Sequence, residues 1–328
     1  MIVITGANGL VGSAIIERLI VEKTEFVALK RKTSDTTFLE KWNTQITWID
    51  GDILDVVSLN KAFENATTVI HAAAMVSFHP KEAEVLLRVN VEGTKNVVNA
   101  CLSTGIKKLI HISSVAALGR QKGITSIDEH NKWAESALNS SYGRSKYLAE
   151  LEVYRGLEEG LNASIICPSF ILGPGDWNKS SSQIFKYIWQ ENKFYSEGQF
   201  NYVDSRDLAD LIFKLLEQNF PGEKFIASGG TVSYKELFDE VAKRFNKRSP
   251  FIKVNHRLLS LFARLEEWRC LLFSIRPLIT RESIKSTREN FTYSNQKSIV
   301  ELVMVYRKLA ETLDCCCEYY QQTYSINK

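Results

Sequence analysis

The chain has 328 residues, 45% hydrophobic and 24% charged, an ordinary composition for a folded, water-soluble protein. A formal net charge of +3, with no basic stripe interleaved with aromatics, gives no electrostatic case for a nucleic-acid partner. Residues 1–12 enter a strand and its turn at once, which leaves no room for a secretory leader, and no apolar run approaches the ~18 residues that cross a bilayer.

Residues 2–4 form a short apolar strand that runs into Thr5-Gly6-Ala7-Asn8-Gly9-Leu10-Val11-Gly12. Leu10, Val11, Ala14, Ile15 and Leu19 then repeat at helical spacing over 10–22. Gly6 permits a tight turn, Gly9 lets backbone approach a pyrophosphate, and Gly12 lets the helix pack close to the strand. The free N–H groups at the helix start favour an anion. A glycine trio is a weak signal alone; between a first strand and a first helix it has the context of a dinucleotide cradle.

A second strand over 26–29 leads to Lys30-Arg31-Lys32, and no acid follows before Asp35. An acid at this place suits the ribose 2′-hydroxyl of NAD, and a cation suits the 2′-phosphate of NADP. Lys30 and Arg31 therefore point to NADP, with NAD as the alternative and a solvated basic strand end as the rival without a ligand. A third strand over 46–49 precedes Gly51-Asp52-Ile53-Leu54-Asp55. Asp52 is placed to accept from an adenine amino group while Ile53 packs on the ring, and Asp55 reads as a helix cap.

After helical residues 59–63, a fourth strand over 68–73 ends in His71-Ala72-Ala73-Ala74. The small Ala72 and Ala73 let the chain pass close to a cofactor, and His71 reads as a packed, hydrogen-bonded histidine. A helix follows over 82–103, then a fifth strand over 108–113 ending in Ser113-Ser114. The helix over 142–159 begins Tyr142-Gly143-Arg144-Ser145-Lys146, so Tyr142 and Lys146 share one face a turn apart. An ammonium beside the phenol, together with an oxidised nicotinamide, would favour the phenolate. A tyrosine so placed exchanges a proton with a carbonyl oxygen that Ser114 holds by hydrogen bond.

The sixth strand, 163–167, ends at Pro168. Strands alternating with helices predict an α/β doubly wound parallel sheet with ligands at the carboxyl ends of its strands. Beyond Pro168 the periodicity weakens, residues 202–218 return to a strand edge and a helix, and 224–227 read as one more strand. The expected division is a dinucleotide-binding domain over 1–168 with 201–228 returning to it, and a smaller, mainly helical substrate lobe over 169–200 and 229–328. Within that lobe, 258–273 reads as an amphipathic helix covering a pocket, because Arg264, Glu266, Glu267 and Arg269 interrupt its apolar run. Basic residues mark 243–257.

Cys101, Cys167 and Cys270 read as small core residues. The adjacent Cys315, Cys316 and Cys317 lack zinc-site spacing and read as an incidental surface or helix-end cluster, so no metal is expected and a reducing, cytoplasmic setting is the simplest.

These motifs, with Asn90-Val91-Glu92-Gly93-Thr94, the run from Cys167 to Gly175 and Tyr202-Val203-Asp204-Ser205-Arg206-Asp207-Leu208, resemble the extended short-chain dehydrogenase/reductases, also known as the NAD-dependent epimerase/dehydratase family. The resemblance covers about 1–230 well and the remainder loosely. It implies a Rossmann fold, Tyr142 as acid/base, Lys146 as its partner, and Ser114 as the serine with Ser113 the fallback. Asn90 takes the position that supports a proton-relay water, a structural role being equally open, and Pro168 and Ser169 take that of the loop approaching the nicotinamide amide. Cys167 stands where members acting on nucleotide sugars usually carry Arg, and Lys30–Lys32 looks more like the dihydroflavonol and cinnamoyl-CoA reductase branch.

Phe170, Ile171, Leu172, Trp177, Phe185, Tyr187, Trp189, Phe194, Tyr195 and Phe200 offer an apolar lining for a hydrophobic carbonyl substrate, Trp177 first among them, although most would equally build the lobe's own core. The resemblance also implies a homodimer through the helices over 82–103 and 142–159. Three functions follow: an NADPH-dependent aldehyde or ketone reductase, a nucleotide-sugar epimerase or dehydratase retaining NAD, and a non-catalytic NADP-sensing protein.

Overall fold

The structure, a computed structural model, describes residues 1–255 and 290–324. The first part of the chain runs β1 (Ile2–Thr5), α1 (Leu10–Val21), β2 (Phe26–Lys30), β3 (Thr47–Asp50), α2 (Val56–Phe63) and β4 (Thr68–His71). It continues with α3 (Ala83–Leu86), a π-helical turn (Leu87–Glu92), α4 (Gly93–Thr104), β5 (Lys108–Ile112), β6 (Ser126–Ile127), α5 (Ser141–Glu158) and β7 (Ala163–Pro168). The second part holds β8 (Phe170–Leu172), α6 (Gln183–Trp189), β9 (Phe194–Ser196), β10 (Gln199–Asp204), α7 (Ser205–Glu217) and β11 (Lys224–Ala227). Then come β12 (Gly230–Ser233), α8 (Tyr234–Phe245), β13 (Ile252–Val254), β14 (Thr292–Tyr293), α9 (Gln296–Leu302) and α10 (Leu309–Tyr324).

Seven strands form one sheet in the order β11-β7-β5-β4-β1-β2-β3, every neighbouring pair parallel. This is the doubly wound fold expected from the alternating strands and helices. Strand order reverses between β1 and β4, which opens a crevice at their carboxyl ends. Alternate strand residues serve opposite faces. Val3, Val69 and Leu109 pack with Phe63, Val97 and Val153 of α2, α4 and α5. Ile4, Ile70 and Ile110 pack with Ile15, Ile16, Leu211 and Ile212 of α1 and α7. Both faces being covered explains why these strands read as unbroken apolar runs.

The helix expected over 82–103 is interrupted by the π turn. The stretch 201–228 divides: α7 and β11 join the main sheet layer, whereas β10 pairs with β8 and β12 in a three-stranded sheet. A third apolar core, with Phe185, Phe200, Leu237, Phe245, Leu313 and Tyr320, fills this second region. Cys316 and Cys317 are buried in it, in mid-helix, so the triplet is core rather than a surface or helix-end cluster, with Cys315 half-buried at its edge. The amphipathic 258–273 segment, Cys270 and the basic stretch beyond Asn255 lie outside the described residues.

Candidate active site

The turn after β1 is closed too tightly for side chains. Gly6 has φ +69°, and a Cβ on it would stand 2.5 Å from the Ala73 nitrogen; one on Gly12 would stand 2.3 Å from the Gly6 oxygen. Gly9 caps α1 with no side-chain hydrogen bond, so the first N–H groups of the helix are left to an anion. Ala72 and Ala73 reach across to Thr5, whose carbonyl accepts from the Ala72 N–H at 3.2 Å and whose hydroxyl accepts from the Ala73 N–H at 3.3 Å. The cradle therefore fits a dinucleotide pyrophosphate, with the Leu10 side chain lying under the Gly173–Gly175 loop.

Other expected cofactor contacts are modified. Lys30 is held by Asp50 at 3.2 Å, which leaves Arg31, exposed beside Ser34, and the exposed Lys32 as cations offered after the end of β2. Asn8 donates to the Asp35 carbonyl at 3.2 Å and so fixes the loop behind Arg31. The Asp52 carboxylate accepts from the Leu54 N–H at 3.0 Å, which commits one oxygen to its own turn. Ile53 is buried against Gly93, where an added Cβ would meet it at 2.6 Å, so it packs on α4 more than it offers a face to an adenine. Pro168 closes β7, and the Ser169 N–H is bound by the Ala227 carbonyl at 2.9 Å.

Tyr142, Lys146 and Ser114 meet at the carboxyl end of β5. Ser140 caps α5 by accepting from the Gly143 N–H at 3.0 Å, which fixes the first turn and the direction of Tyr142. Gly143 allows that turn to approach Ala116, whose carbonyl would be 2.8 Å from a Cβ. Ser114 caps the short helical turn Val115–Leu118 and hydrogen-bonds the Tyr142 hydroxyl. Burial nevertheless dominates and pushes that hydroxyl up to about 12, with the bond to Ser114 opposing. The Lys146 ammonium is turned to the Ile112 carbonyl at 2.7 Å, and burial brings it down to about 8. Phe78, from the loop after β4, meets the Tyr142 ring edge-on at 6.0 Å.

Asn90 stands in the π turn, buried, with its amide fully used. It accepts from the Met75 N–H at 2.7 Å and donates to the Met75 carbonyl and the Ser145 hydroxyl, each at 2.9 Å. It clasps the Phe78 loop to α5. His71 is likewise engaged on both sides, by Thr5 at 2.7 Å and Thr94 at 3.1 Å, and burial drives its pKa down to about 3, so it is neutral.

Beneath Tyr142 and Lys146 lies a network that the motif reading missed. Glu150, one turn beyond Lys146, receives a hydrogen bond from Ser113 and forms an ion pair with Lys224 at 2.5 Å; the Cys167 thiol lies 3.4 Å away. Ser113 is committed to this network, which leaves Ser114 as the serine facing Tyr142. The signal was present as Tyr142, Lys146, Glu150 and Tyr154 at spacings of four.

A narrow cavity opens beyond Ser114. Arg120, Ser169, Phe170, Tyr234, Phe291 and Tyr293 are among its lining. Of the ten apolar residues proposed from sequence, Phe170 lines it, while Leu172, Phe185 and Phe200 are core. Trp177 stacks on Tyr324 at 3.7 Å and packs beside Tyr320, so it packs against α10. Arg120, Phe291 and Tyr293 carried no sequence signal.

Comparison with known proteins agrees with this geometry. The profile described as the NAD dependent epimerase/dehydratase family matches residues 2–227. A Synechocystis sp. protein carrying a provisional dihydroflavonol 4-reductase name is 25% identical over 324 residues, 97% of this chain and 94% of its own. Cinnamoyl-CoA reductase 1 of Oryza sativa is 25% identical over 260 residues, 75% of this chain and 76% of its own. Among solved structures, that of gox2253 superposes with a TM-score of 0.84 at 31% identity, covering 99% of this chain and 98% of that one.

Proposed function

Since the chain belongs to the NAD-dependent epimerase/dehydratase family and is an enzyme of that family, we propose that it reduces an aldehyde or ketone with NADPH. The observation that carries this reading is the Tyr142 hydroxyl hydrogen-bonded to Ser114 at the carboxyl end of β5, with the Lys146 ammonium one turn on at the Ile112 carbonyl. A reductase needs a proton donor, and a tyrosine hydroxyl carries its proton at neutral pH.

When bound, the nicotinamide supplies the hydride. The chain does the rest. The Ser114 hydroxyl donates to the substrate carbonyl oxygen and orients it. Tyr142 gives its proton to that oxygen as negative charge develops there. Lys146, held at the Ile112 carbonyl below, places a positive charge where the phenolate is left. The uncapped start of α1 and the Gly6–Gly12 turn would hold the pyrophosphate, and Arg31 the 2′-phosphate. Ser169 and the Pro168 end of β7 would flank the nicotinamide ring.

Cys167, where nucleotide-sugar members usually carry Arg, supports reduction over sugar epimerisation. No helix among the described residues is long and apolar enough to cross a membrane. The reading includes a reducing cytoplasmic setting and pairing of two copies through α4 and α5, on which Leu151 is exposed.

The test is steady-state NADPH oxidation across aromatic and aliphatic aldehydes and ketones. Tyr142→Phe should lower turnover by about 10²–10⁴-fold while nucleotide affinity stays within twofold. Turnover unaffected by the substitution would remove Tyr142 from the chemistry.

A further inference from the structure

We propose that the ribbon formed by β9 and β13 is a membrane-contact surface, with which the protein rests against a bilayer that carries anionic lipids. The inference is independent of the reaction assigned above.

The basic stretch marked in the sequence has no part in that reaction, and the structure sets its described residues, 243–255, beside exposed apolar side chains. β9 and β13 form a two-stranded parallel sheet of their own, in which Phe194 is the register partner of Ile252. Register partners stand on the same face of a ribbon, and the next residue along the strand stands on the other. That next residue, Tyr195, packs on the lobe's core, with Lys235 of α8 over its ring at 5.6 Å. Phe194 and Ile252 therefore face outward, 54% and 38% exposed, and Phe251 at the end of the ribbon is 48% exposed. A single exposed apolar residue is ordinary; adjoining ones on a small ribbon, two of them phenylalanines, mark a contact surface.

The backbone holds these side chains in place before any contact. The Phe251 and Ile252 N–H groups both donate to the Lys193 carbonyl, at 3.0 and 2.8 Å, and the Phe194 carbonyl accepts from the Tyr187 hydroxyl at 2.8 Å.

Cations surround the apolar residues. Lys193 is exposed next to Phe194, the Arg248 guanidinium lies over the Phe251 ring at 4.2 Å, and the Lys247 ammonium lies over the Trp189 ring at 5.5 Å. The side chains of these three form no ion pair among the described residues, whereas Lys253 pairs with Glu197 and Lys235 with Asp239. Glu191, the remaining acid at this edge, accepts from the Arg248 backbone N–H at 3.0 Å. The surface thus keeps an excess of positive charge around an apolar centre. Cationic stems lying along aromatic rings, with their heads in water, suit a lipid–water boundary. An anionic headgroup layer complements the charge, and the shallow acyl region beneath it takes the phenylalanines and the isoleucine. A nucleic-acid strand would match the charge alone, and Arg248 already covers a face of Phe251 on which a base would stack. Contact of this kind lies on the bilayer and needs no helix that crosses it.

The test is co-sedimentation of the full chain at low salt with vesicles of phosphatidylcholine alone or with about a third phosphatidylglycerol. Wild type should partition about tenfold more strongly to the anionic vesicles, and about 0.5 M salt should remove most of that preference. Phe194→Ser with Phe251→Ser should weaken binding about tenfold at an unchanged melting temperature, whereas Phe194→Leu with Phe251→Leu, which keeps the surface apolar, should bind like wild type. Lys193→Gln with Arg248→Gln should lower binding to anionic vesicles and leave binding to neutral ones as it was; this pair decides the matter if the serine pair fails to fold. Absence of wild-type binding to anionic vesicles, or binding that the serine and glutamine pairs both leave unchanged, would overturn the surface. Capture of a DNA or RNA oligonucleotide without vesicle binding would overturn it in favour of a nucleic acid. Self-association in the ultracentrifuge that the serine pair abolishes, again without vesicle binding, would overturn it in favour of a second copy of the chain.

Discussion

Tyr142, Lys146 and Glu150 stand four residues apart on α5, and each is answered by a different group: Ser114, the Ile112 carbonyl and Lys224. In the proposed reaction, burial and Glu150 divide control of Lys146. Burial lowers the ammonium to about 8 and the Glu150 carboxylate pulls it back up. Tyr142, pushed up to about 12, stays protonated throughout the working range. If the ammonium is the active form, kcat/KM for reduction is flat below pH 8 and falls above it as Lys146 loses its proton. Glu150→Gln removes the supporting charge, so that midpoint should move down by about one pH unit. An unchanged midpoint with reduced melting temperature would make Glu150 a packing residue only. Motif reading found Tyr142, Lys146 and Ser114 because the reaction constrains residue type and spacing together. It missed Lys224, which reaches Glu150 from β11, a strand distant in sequence.

At the scale of elements, long periodic segments were legible and short ones were not. The strands of the main sheet are buried on both faces and read as apolar runs. By contrast β6 and β14 have two residues each and owe their existence to each other, across about half of the chain. The π turn was also invisible, since its extra residue changes no composition, yet it carries Asn90 to Met75. The end of α9 offers a test of local conformation. Val303 caps it with φ +51° while its side chain is 70% exposed. A β-branched residue is strained in that left-handed conformation, and little burial offsets the strain. Val303→Gly should therefore stabilise the protein by about 1 kcal/mol and raise Tm by roughly 2 °C. A lower Tm would mean that the exposed side chain packs against something worth more than the strain.

At the scale of the whole molecule, the reversal of strand order between β1 and β4 directs the ligand to one crevice, and the end of β2 decides which ligand. Lys30 is occupied by Asp50, so the proposed preference for NADPH falls first on Arg31. Wild type should use NADPH at least tenfold better than NADH, and Arg31→Ala should bring the two within about threefold, read as kcat/KM ratios. A wild-type preference for NADH would shift the cofactor assignment to NAD. The central claim is net hydride transfer to a carbonyl carbon, as against transient oxidation with the nucleotide returned unchanged. Nicotinamide-deuterated NADPH, mixed with enzyme and an accepted aldehyde, tests it most directly. One deuterium on the product's carbinol carbon, with stoichiometric NADP+ formed and the yield collapsing in Tyr142→Phe, is the expected result. Label retained on the nucleotide while substrate is isomerised or dehydrated would contradict the account.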